Sequence, residues 1–161
     1  MQKITPCLWF DFNAEEAVAH YTGIFQRSKI LQVSHYGDAM PAHKGKVLTI
    51  LFELEGQRFL ALNGGPHFRF TEAISLSVDC ADQQEVDRLW TQLGEGGAPS
   101  QCGWLKDKFG LSWQIVPSVV QRMMQDPDPV RVERVMGAIL KMHKLDIAAL
   151  QAAYDEAPAG T

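Results

Sequence analysis

The sequence predicts an α+β fold in which a strand–helix–strands unit occurs twice and a helical tail follows. Three observations carry this. Apolar residues alternate strictly in "AISLSVDC" (Ala73–Cys80), and apolar runs flank a Glu-Gly turn in "KVLTILFELEGQRFLALNGG" (Lys46–Gly65), so both stretches read as strands. In each half a helical apolar period follows the first strand. A shift of about 68 positions lays one half on the other, matching Leu8 with Leu76, Phe10 with Val78, Asp11 with Asp79, Val18 with Val86, Tyr21 with Leu89 and Phe25 with Leu93.

Taken in order, Ile4–Phe12 reads as the first strand. Asn13 is expected to cap a helix whose first turn holds Glu15 and Glu16, where negative charge suits the dipole. Ala17, Val18, Tyr21, Ile24 and Phe25 form its apolar face. Ser28–Tyr36 is rich in strand formers, and Gly37–Gly45 is a loop by its Gly and Pro content. Lys46–Gly65 is a hairpin about Glu55-Gly56, and Gly64–Glu72 is a second loop. The pattern restarts at Ala73–Cys80. Asp82 caps a helix bearing Val86, Leu89, Trp90 and Leu93, and Gly94–Ser100 reads as a loop. "CGWLKDKFGLSWQIVP" then supplies two strands about Lys108-Phe109-Gly110.

In the tail, Ser118 is expected to cap a short helix ending near Asp126. "DPDP" stops the chain and restarts it, with Asp128 as cap and Pro129 in the first turn. Val132, Val135, Met136, Ile139 and Leu140 form the next helical stripe. Asp146 caps a last helix carrying Ile147, Leu150 and Tyr154, and Glu156–Thr161 is expected to fray. The expected organisation is one structural domain with a first module over residues 1–66, a second, shortened module over 67–117 and a tail over 118–161. The tail either covers the sheets or meets a partner.

Composition narrows the function. Of 161 residues, 46% are hydrophobic and 21% charged, as in ordinary globular proteins, and the net charge is −4 without a basic cluster. Nucleic acid and anionic membranes are therefore not expected partners. No run reaches a membrane-spanning length, and the N-terminus lacks the features of a signal peptide, so a cytoplasmic protein is expected. Cys7, Cys80 and Cys102 are too few and too scattered for a disulfide framework or a zinc site.

"TPCLWFDFNAEEAVAHYTGIF", "CGWLKDKFGLSWQIVP" and "KMHKLDIAALQAAY" together resemble the PhnB-like family, often labelled 3-demethylubiquinone 3-methyltransferase-like. That family belongs to the glyoxalase/bleomycin resistance/dioxygenase superfamily, the vicinal oxygen chelate fold. The resemblance implies paired βαβββ modules, a curved sheet around a ligand groove, and a homodimer. It does not imply one reaction, because members isomerise, cleave, oxidise or sequester their ligands. Methyl transfer is not supported by the residues: the first strand-to-helix turn, "FDFNAEE", has no glycine.

Metal-using relatives place His, Gln or Glu on the groove side of particular strands. Matched motif to motif, those positions fall on Thr5, on Leu60 or Leu62, on Ala73 and on Gln114. That set makes no metal site, so neither a dedicated metal nor another cofactor is expected. Strand parity selects the groove residues. With Leu8 and Phe10 inward, Thr5, Cys7 and Trp9 face the groove. With Ile74, Leu76 and Val78 against the helix, Ala73, Ser75 and Ser77 face it. With Leu111, Trp113 and Ile115 inward, Ser112, Gln114 and Val116 do.

The ligand candidates are thus Thr5, Cys7, Trp9, Ser75, Ser77 and Gln114, a neutral hydrogen-bonding surface with an aromatic platform for a small organic ligand. Cys102, Trp104, His43 and His67 are secondary candidates. The bland readings are a passive thiol for Cys102 and solvated loop positions for the histidines, while Trp104 is undecided between core and groove. Asp107 and Gly110 are expected to shape a turn. Two other functions fit the resemblance: a lyase, isomerase or transferase using groove groups or Cys7, and a drug-sequestering resistance protein.

Overall fold

The computed structural model describes residues 2–156, so the fraying expected at the C-terminus falls, apart from Glu156, outside the described residues. The chain forms two compact units that meet in sequence at Phe70 and Thr71.

The first unit contains β1 (Cys7–Phe10), α1 (Ala14–Ile24), β2 (Ser28–His35), β3 (Val47–Leu54) and β4 (Gln57–Asn63). Its sheet has the order β1-β4-β3-β2, with β1 parallel to β4 and the other pairs antiparallel. β1 starts later than expected. Pro6 has no N–H for the ladder, although its carbonyl still accepts from Leu60 N (2.9 Å), so Thr5 lies before the strand. Leu8, Phe10, Ile50, Phe52, Phe59 and Ala61 are buried at alternate positions, with Ala17, Val18 and Tyr21 of α1. Glu55 and Gly56 both have positive φ (48° and 85°), the geometry that joins two strands with a two-residue turn.

The cap of α1 is not the expected one. Asn13 makes no side-chain capping bond. Asn63, at the end of β4 and 2% exposed, accepts from Ala14 N through Oδ1 (3.0 Å). Its Nδ2 donates to Glu15 Oε1 (2.6 Å) and Val47 O (3.0 Å). Phe12 takes a left-handed φ of 56° in the turn between β1 and α1. A helix end supplied from another strand has no local sequence signature.

The second unit repeats the plan with β5 (Ser75–Cys80), α2 (Gln83–Gly94), β6 (Ala98–Pro99), β7 (Trp104–Lys106) and β8 (Ser112–Pro117), in the order β5-β8-β7-β6. Its course is shorter: 53 residues separate Cys7 from its partner Leu60, but 37 separate Ser75 from Ser112. β6 falls where a loop was expected. Two residues at a sheet edge tolerate Pro99, and Gly97 is required beside it, because a Cβ there would lie 2.0 Å from Lys106 O. Asp82 caps α2 as expected, accepting from Glu85 N (2.8 Å). Ile74 is 65% exposed rather than packed on the helix, because the strand begins at Ser75, two residues later than expected.

The tail forms α3 (Ser118–Met124), α4 (Pro129–Ile139) and α5 (Ile147–Asp155) around Val120, Met123, Val135, Ile139, Leu145 and Leu150. Asp128 and Asp146 cap α4 and α5, but the Ser118 hydroxyl donates to Cys80 O (3.1 Å) instead of capping α3. The tail belongs to the second unit and is tied to α2 and to the segment before β7. The Gln83 side chain bonds Leu145 O (3.1 Å) and Ile147 N (2.8 Å), and Lys144 pairs with Asp87 at 2.8 Å. Cys102 N and Gly103 N donate to Met142 O and His143 O. Met136 and Leu140, expected within the buried stripe, are 40% and 62% exposed. No helix among the described residues is long and apolar enough to cross a membrane.

Candidate functional site

Register builds a row of side chains across the second sheet. Ser77 of β5 pairs with Gln114 of β8, which pairs with Trp104 of β7. In the next row Ser75 pairs with Ser112, and Ser112 with Lys106. Neighbours in register share a face, so this face carries Ser75, Ser77, Gln114, Trp104 and Lys106. Leu105 and Trp113, also paired, occupy the other face and are buried. Trp104, undecided from sequence, therefore stands beside Gln114.

Gln114 donates from Nε2 to Ser75 Oγ (2.9 Å), which fixes its amide. Its Oε1, the Ser77 hydroxyl and the Trp104 indole N–H have no protein partner among the described residues. Gln114, Ser75 and Trp104 are half-buried and Ser77 is exposed. At the edge, Lys106 pairs with Glu72, and this contact holds the Glu72 carboxyl below the usual range. Ser112 has the expected parity but is 1% exposed, so it is packed rather than presented.

The turn behind this face is set by Asp107, buried at 2% exposure. Its Oδ1 accepts from Phe109 N (2.9 Å) and Leu111 N (3.0 Å), and its Oδ2 from Trp113 Nε1 (2.9 Å). One carboxylate thus orients the hairpin and the largest core side chain, and Gly110 supplies the positive φ (88°).

In the first sheet, Cys7 and Trp9 lie opposite Leu8 and Phe10 as expected, and Thr5 is exposed ahead of the strand. Their cross-strand neighbours Leu60 and Leu62, then Leu51 and Thr49, are half-buried. This face is largely apolar. Trp9 is already engaged: its indole N–H donates to Gly65 O (2.9 Å), Phe68 meets it edge-on at 4.9 Å, and a Cβ on Gly64 would come within 2.4 Å of the ring. Burial pushes the Cys7 thiol above its ordinary value, which works against a thiolate nucleophile.

The secondary candidates lie elsewhere. Cys102, with φ 60°, packs against the tail core. His67 is exposed. The His43 ring packs at a tilt against Phe12 (4.7 Å) and Tyr36 (5.4 Å) with its Nδ1 buried and unbonded, which makes it part of an aromatic loop cluster. A cleft of about 520 Å³ opens between α2 and the β6 edge, lined by Trp90, Thr91, Gln92, Glu95, Pro99 and Leu105. Trp90, expected on the helix face that carries Val86, Leu89 and Leu93, lines this cleft instead of joining them in the core.

The metal that some members of the superfamily use does not fit these residues. Leu60, Leu62 and Ala73 carry no side-chain donor atom, so of these positions only Thr5, exposed ahead of β1, and the Gln114 amide oxygen offer one. Among the described residues no three His, Cys, Asp or Glu side chains converge. A nucleotide-like methyl donor fits no better. Such a donor needs a Gly-rich turn with free amides at a helix start, whereas the turn before α1 holds Phe12 and its Ala14 amide is taken by Asn63.

Two four-stranded sheets of one order, each paired with a helix, define the class: paired βαβββ modules of the glyoxalase/bleomycin resistance/dioxygenase superfamily. Within it, the 3-demethylubiquinone-9 3-methyltransferase family model matches residues 2–116, and the chain belongs to this PhnB-like family. A PhnB protein from Bacillus cereus is 37% identical, with a TM-score of 0.66 over 72% of this chain and 99% of its own. A Pseudomonas aeruginosa protein is 20% identical, with a TM-score of 0.61 over 73% of this chain and 98% of its own. The fosfomycin resistance protein FosX from Listeria monocytogenes is 12% identical, with a TM-score of 0.52 over 78% of this chain and 98% of its own. The last two show the fold alone. No curated protein matches the chain.

Proposed function

We propose that this protein binds a small planar organic molecule on the Ser77–Gln114–Trp104 face, as a homodimer and without an obligatory metal. The observation that carries the reading is the fixed amide of Gln114. Bonded through Nε2 to Ser75, it presents Oε1 beside the unpaired indole N–H of Trp104. An acceptor, a donor and an aromatic surface suit a flat ligand that carries both donor and acceptor groups. Cys7 and Trp9 provide a second, more apolar candidate surface on the first sheet.

Native mass spectrometry with metal analysis of the same purified sample tests this. A metal-free dimer that retains a small molecule, and loses it in Gln114→Ala, supports the reading. A stoichiometric divalent ion surviving chelation overturns the metal-free part. Retention that survives Gln114→Ala and Trp104→Ala but fails in Trp90→Ala moves the site to the α2–β6 cleft.

A further inference from the structure

The cleft between α2 and β6 is separate from the Ser77–Gln114–Trp104 face. Leu105, which lines it, lies on the opposite side of the sheet from Trp104 and Gln114. Its volume of about 520 Å³ falls within the range of roughly 300–1,000 Å³ that small-molecule sites occupy. Trp90, Pro99 and Leu105 give it an apolar wall, and Thr91, Gln92 and Glu95, at the end of α2, give it a polar one. Two of these residues have no role in the fold. Trp90 is half-buried, and its indole makes neither a hydrogen bond nor a ring contact among the described residues. Glu95 sets a carboxylate at the C-terminal end of a helix whose last turn holds no basic residue, where the dipole favours the opposite sign. It is exposed and has no ionic partner among the described residues. The basic side chains of α2 and of the hairpin after β7 are already engaged. Arg88 Nη1 donates to Gln92 Oε1 (3.0 Å), Lys106 pairs with Glu72, and Lys108 Nζ lies over the Phe109 ring at 5.4 Å.

We propose that this cleft binds an amphipathic organic cation, an apolar body that carries a protonated amine or quaternary ammonium group. The body lies against Pro99 and Leu105, and the charge sits between the Trp90 ring and the Glu95 carboxylate. A cation over a tryptophan face is attracted by the ring quadrupole, and the carboxylate and the negative helix end add to that attraction. A neutral molecule of the same shape keeps the apolar contact and loses the rest, and an anion is repelled by both Glu95 and the helix end. The inference does not rest on the Ser77–Gln114–Trp104 reading, and either can fail alone.

The test is a titration of the full chain with 3-phenylpropylamine and with its uncharged analogue 3-phenylpropanol, followed by calorimetry and by the indole N–H resonances of the tryptophans. The indole signals separate the two surfaces, because a ligand in the cleft moves Trp90 and one on the other face moves Trp104. The amine should shift the Trp90 signal and leave that of Trp104 in place, saturating below about 5 mM. The alcohol should bind about tenfold more weakly, Glu95→Gln should weaken the amine by about the same factor without changing the alcohol, and Trp90→Leu should weaken the amine further. Thermal unfolding checks that each variant folds, and Glu95→Gln alters an exposed side chain that holds no contact in the fold. Equal affinity for amine and alcohol, unchanged amine binding in Glu95→Gln, or a Trp90 signal that the amine does not move would each overturn the inference. A shift of Trp104 in place of Trp90 would overturn it while supporting the other face as the binding surface.

Discussion

The two modules share a strand order and differ in what holds them and in what they present. In the first, the helix start is capped from a distant strand by Asn63, and the face away from the helix is lined by Trp9, Leu51, Leu60 and Leu62. In the second, the helix is capped locally by Asp82, the hairpin is set by Asp107, and the corresponding face carries Ser75, Ser77, Gln114 and Trp104. One frame therefore accepts an apolar or a polar working face. Inward positions fix the fold through burial, and the alternate positions are left free for chemistry. The second module reaches its last strand in fewer residues, and its anchors are accordingly local.

The largest expected difference concerns those anchors. Asp107→Ala strands three donors at once, two of them buried, so urea unfolding should show a loss of about 4 kcal/mol. Asn63→Ala removes one cap and two donated bonds in the first module and should cost about 2–3 kcal/mol; a loss matching that of Asp107→Ala would contradict the contrast between the modules.

Alkali should bear on the second module through Cys80, a buried thiol that burial pushes up to about 12 from 9.0. A thiol that holds its proton more tightly in the folded state adds full stability below pH 9.0 and loses it as pH rises toward about 12. The loss should reach roughly 1 kcal/mol by pH 10 and be absent from Cys80→Ala, as denaturant titrations at two pH values would reveal. The smallest effect belongs to the first module's rim. Arg27 and Glu55 pair at 2.7 Å but are 82% and 41% exposed, so Arg27→Ala should change stability by less than about 0.5 kcal/mol.

Much of this was legible in the sequence because it rests on periodicity. The repeat, the hairpin at Glu55-Gly56, the caps at Asp82, Asp128 and Asp146, and the inward parity of Leu8, Phe10, Trp113 and Ile115 each have a local cause. The candidate site was legible by halves. Parity placed Ser75, Ser77 and Gln114 on one face, but Trp104 sits in a three-residue strand too short to alternate, and β6 is shorter still.

What the sequence by itself determined is the set of longer elements and the face that most of their residues take, since both follow from backbone geometry and the cost of exposing apolar area. Only the tertiary structure decided which strands lie side by side. That choice gave α1 its cap from Asn63, aligned Trp104 with Gln114 across β7 and β8, and left Met136 and Leu140 outside the tail core. Each depends on a contact between segments far apart in the chain, and such contacts leave no mark in local periodicity.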